Sequence, residues 1–148
     1  LYQAEPLNAG LKFLSVPDLA VISHYAQACT AEFAQKKSAV LKNYVKSVIH
    51  GICWMKHRKQ DAMKVVTGEP MRRMKISDAH EIEKHFDAIV SKLQIKPYPT
   101  LEALSATYEI ACQEYGAKGL NPLALWDMHW VKELDDEGFI DALIQDMT

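Results

Sequence analysis

Residues 30–57, TAEFAQKKSAVLKNYVKSVIHGICWMKH, run for 28 positions without a proline and with a single glycine. Such a stretch has few alternatives to a helix, and the rest of the chain has to be laid against it. Val40, Leu41, Tyr44, Val45, Val48, Ile49, Ile52 and Met55 recur at three- and four-residue steps, the period of one helix face. The spacing predicts one core helix over 30–57. Thr30 is placed to accept a first-turn N–H, Glu32 suits the positive end of the helix dipole, and Lys56, His57 and Arg58 suit the negative end. Trp54 is the misfit. At 100° per residue it shares a side with Asn43, Ser47 and His50, away from the stripe, so it is either covered by another element or part of an interface.

A chain of 148 residues with 49% hydrophobic content supports one sizeable core. A net charge of −2 gives no basic surplus for a phosphate backbone, which argues against nucleic acid as a partner. Cys29, Cys53 and Cys112 stand far apart with no CxxC, so neither a disulfide framework nor a thiolate zinc site is indicated. No run of eighteen apolar residues is present, and the chain is not expected to span a membrane. It opens at Leu1 without Met and without a signal peptide, which leaves the destination of the parent product open.

In chain order, Glu5-Pro6 starts a short helix that Gly10 ends, and Leu11, Phe13, Ser15 and Val16 make a brief apolar run suited to a buried strand. A second strand is expected around 21–29. Residues 60–66 read as a short helix closed by Gly68-Glu69-Pro70. Asp78 with Glu81 forms a capping box for a helix of fourteen or fifteen residues striped by Ile82, Phe86, Ile89 and Leu93. Lys96-Pro97-Tyr98-Pro99 is extended, and Thr100 caps a helix whose buried side is Leu101, Leu104, Tyr108, Cys112 and Tyr115. Pro122 at a first helical position begins another, with Leu123, Trp126, Trp130, Val131 and Leu134 on one face. A last helix carries Phe139, Ile140, Leu143 and Ile144. The expected fold is a mainly helical single domain over 1–148, with one or two short strands near the N-terminus.

Taken together, the T-x-E-F helix start at Thr30, the W-M-K at Trp54, the K-P-Y-P-T at Lys96 and the closing D-M-x-x-V-x-E-L-x-x-E-G-F-I-D resemble a known pattern. It is that of the C-terminal half of extracytoplasmic solute-binding proteins of the nitrate, taurine and sulfonate importer type, the group that includes thiamine-pyrimidine synthase relatives. The resemblance covers essentially the whole chain and implies a type 2 periplasmic-binding fold. On that basis 1–16 is the end of the second lobe, 17–29 a crossover, and 30–148 the helical part of the first lobe. The strands building most of the first lobe would then lie upstream of Leu1. The resemblance places the inter-lobe cleft at Tyr25, Gln27 and Cys29, although HYAQACT stands where the family commonly has a glycine- and threonine-containing strand end.

Other constellations are weaker. His50, Cys53 and His57 fall within about 60° on a helix, but no fourth ligand is placed, and a solvated surface is the better account. His80-Glu81 with His85 fails as a zincin motif, because five residues leave the rings about 140° apart. Asp135-Asp136-Glu137 reads as a solvated helix end, Trp126 with Trp130 as core, and Arg72, Arg73 and Lys75 as an exposed basic loop. No catalytic residue, metal or cofactor is proposed, since no nucleophile is visibly paired with a base.

The first functional expectation is therefore a small-molecule-binding component of an importer, periplasmic or extracytoplasmic, working with a permease of the ABC type. Its rival is a stand-alone helical interaction protein derived from such a half. Either leaves apolar surface to cover, so a homo-oligomer or a complex with the missing half is expected, with Trp54 or Phe13 in the contact.

Overall fold

The computed structural model describes residues 10, 26–68, 73, 78–116, 119, 121 and 126–147. Its described elements are α1 (Ala31–Lys36), α2 (Ser38–His57), α3 (Lys59–Val66), α4 (Ala79–Val90), α5 (Leu101–Tyr115), α6 (His129–Asp136) and α7 (Phe139–Met147). The protein is mainly helical, and no strand occurs among the described residues. Of the two expected strands, 11–16 lies outside the described residues. Of the second, only 26–29 is described, and it has no regular structure.

The capping residues act as their sequence context demands. The Thr30, Asp78 and Thr100 side chains accept the N–H of Phe33 (3.1 Å), Glu81 (2.9 Å) and Ala103 (3.1 Å), each satisfying an otherwise orphaned first-turn donor. Gly116 closes α5 in a left-handed conformation at φ 67°, where a side chain would be strained.

Four boundaries and faces depart from the sequence expectation. The single helix over 30–57 is broken at Lys37, whose φ and ψ of −127° and 33° leave the helical region. The break precedes Ser38, whose hydroxyl accepts the indole N–H of Trp130 at 3.2 Å; this tertiary bond pins the start of α2 to α6. The expected helix from Pro122 is described only from His129. Asp127 Oδ1 accepts the N–H of His129 at 3.1 Å, an Asx-type turn that begins the helix there and leaves Trp126 in front of it. α4 ends at Val90, several residues short of Leu93, and the C-terminal carbonyl of Val90 accepts from Lys56 Nζ at 2.9 Å. On α5, Leu104 is buried but Leu101 (72% exposed) and Tyr115 (81%) are not, so the supposed buried stripe is broken at both ends.

The core lies where α2, α6 and α7 meet. Ile49, Leu134 and Ile140 are its buried centre, with Val45, Ile95, Phe139, Leu143 and Ile144 packed around them. Burying each such side chain contributes roughly 1.5–3 kcal/mol. Cys53, next on the inner side of α2, is fully buried with Sγ 3.8 Å from the Leu143 carbonyl. α3 follows α2 directly after Arg58, and α4 is tied to α3 by Lys59, which meets Glu83 and Asp87 at 2.8 Å each.

Candidate functional site

The acidic run at the end of α6 is not a free anionic site. Asp135 takes Lys96 at 2.7 Å and the Tyr98 hydroxyl at 3.1 Å, Asp136 takes Lys132 at 2.7 Å, and Glu137 takes Lys42 at 2.7 Å. Lys42 also meets Glu133 at 2.8 Å, and Lys96 meets Asp141 at 2.9 Å. Hydrogen bonding from Lys96 holds the Asp135 carboxyl below its usual range against the effect of burial, and the same pairing raises Lys96. These charges join α6 to α2 through Lys42, and α6 and α7 to the 95–98 stretch through Lys96. The shallow depression of about 440 Å³ along the outer side of α6, lined by His129, Lys132, Glu133, Asp136 and Glu137, is built largely from groups already committed to these pairs.

The helix bearing His50, Cys53 and His57 separates them. Cys53 points into the core and burial pushes its thiol up, while both imidazoles are exposed. Among the described residues no group of His, Cys, Asp and Glu is arranged to hold a metal ion. Gln27 and Cys29 are exposed in the irregular segment before Thr30, and Tyr25 and Phe13 lie outside the described residues, as do Arg72 and Lys75 of the basic cluster.

The outward side of α2 is the more informative surface. The apolar residues of this helix cover too wide an arc for one contact. Val40 and Ile49 differ by nine residues, which is about 180° of turn, whereas a core-facing stripe needs little more than about 100°. Val45, Ile49 and Cys53 fill the core side. On the other side Val40, Tyr44 and Val48 are 55%, 44% and 37% exposed. The excess arc is present in the sequence, and the expectation that all of it faces the core is not met on the side of Val40, Tyr44 and Val48.

A second pattern lies on the same side. Val40, Tyr44, Ser47, Gly51 and Trp54 follow one another at four- and three-residue steps, the spacing of a seam between two helices. Trp54 is half-buried and, with Ser47, His50 and Gly51, borders an open depression of about 310 Å³. The two small residues make the hollow. Among the described residues, a Cβ placed on Gly51 would meet nothing within 4 Å, so close packing against them does not account for a glycine at the middle of the longest helix.

α2 has cationic side chains and no carboxylate of its own. From residue 33 to residue 60 there is no Asp or Glu, while Lys and Arg occur seven times. Lys36, Lys42, Lys56 and Lys59 are engaged by Glu32, by Glu133 and Glu137, by the Val90 carbonyl, and by Glu83 and Asp87. Lys46 lies over the Phe139 ring, 4.5 Å from its centre. Lys37 at one end of α2 and His57 and Arg58 at the other are exposed. The seam between them carries no charge.

No family model, curated protein or solved structure matches this chain.

Proposed function

We propose that this chain is a binding component with no chemistry of its own, and that it acts by docking a partner helix on the outward side of α2. One observation carries the reading: Val40, Tyr44 and Val48 are exposed together beside the open depression at Ser47, Gly51 and Trp54. Exposed apolar side chains grouped on one helix, around a hollow, are what a helix-in-groove partner needs. The test uses a peptide of about twenty residues, the length that spans α2, with leucines at helical seam positions and uncharged glutamine flanks. Its binding should perturb the NMR signals of residues 40–54 and weaken at least tenfold in the Val48→Glu protein. Failure to bind, or perturbation centred elsewhere, would refute the reading.

The resemblance of the motifs at Thr30, Trp54 and Lys96 supports a second reading. In it the chain is the C-terminal portion of an extracytoplasmic solute-binding component of an ABC importer, and Tyr25, Gln27 and Cys29 approach a sulfonate, nitrate, taurine or pyrimidine-like solute. Thermal-shift screening separates the two. A solute that binds the folded chain at about 100 times its Kd adds about 2.7 kcal/mol of stability. A raised Tm with one of these solutes favours the importer reading, and no response from any of them counts against it.

A further inference from the structure

We draw no further inference here: the strongest candidate, the outward face of α2 along Val40, Tyr44, Ser47, Gly51 and Trp54, belongs to the site already described and carries nothing beyond it, because nothing in the structure shows what covers it.

Discussion

Asp135 joins the polar contacts of three parts of the fold. It joins Lys96 and Tyr98 to α6, and Lys96 continues to Asp141 on α7. The hydrogen bond from Lys96 is the main reason its carboxyl titrates below the ordinary Asp value of about 3.9. Because the folded pKa lies below the unfolded one, the stabilisation is complete above about pH 4 and disappears as pH falls through the lower, folded value. Lys96 acts in the opposite direction. Its folded pKa is raised, so its contribution is complete below about pH 10.4 and is lost only as pH climbs through the folded value. Urea midpoints recorded from pH 2 to pH 7 for the wild type and for Asp135→Asn check this. The variant should show a flatter acid limb below about pH 4, and superimposable limbs would show that the Asp135 cluster contributes nothing.

Among the elements, the turn between α6 and α7 joins two of the helices that share the core. Gly138 adopts φ 74° there, and the N–H of Gly138 donates to Asp135 O at 2.9 Å. A Cβ at Gly138 would meet nothing within 4 Å, so Gly138→Ala isolates the backbone cost of a left-handed residue, about 1–2 kcal/mol. Equilibrium unfolding should show that loss with the helical circular dichroism unchanged, and an unchanged midpoint would contradict it. This turn was legible in the sequence from Gly138 and the apolar residues after it, as were the caps at Thr30, Asp78 and Thr100, because all depend on neighbours within a few residues. Less legible were the features fixed at long range. The break at Lys37 accompanies a bond from Trp130 to Ser38, 92 residues away, and the acidic run found its cations on α2, in the 95–98 stretch and one turn back on α6. The start of α6 follows from Asp127, a signal within two residues of the helix. The α2 face was half legible: periodicity identified every apolar residue on it, but only packing shows which half of a 180° arc is covered.

At the scale of the whole molecule, stability is concentrated where α2, α6 and α7 share Ile49, Leu134 and Ile140, with the Lys42 and Lys96 ion pairs across the same contacts. α5 is different. It makes no broad contact with another described helix, and two of its five expected core residues face solvent. Regions with few buried apolar contacts open at lower free energy than the core, so the helices should separate by hydrogen exchange. Amides of α2 near Ile49 and of α6 and α7 should exchange only at the rate of global unfolding, and those of α5 much faster. Ile49→Ala tests whether one core joins the three helices. Ile49 is fully buried, so its truncation should cost about 2–5 kcal/mol, a large part of the 5–15 kcal/mol typical of a folded domain. If the helices form one cooperative unit, the variant loses exchange protection equally in α2, α6 and α7, and Cys53, whose thiol lies against Leu143 O, becomes accessible to a thiol reagent in step with them. A loss confined to α2, with α7 still protected and Cys53 still unreactive, would mean that the shared core does not couple the helices.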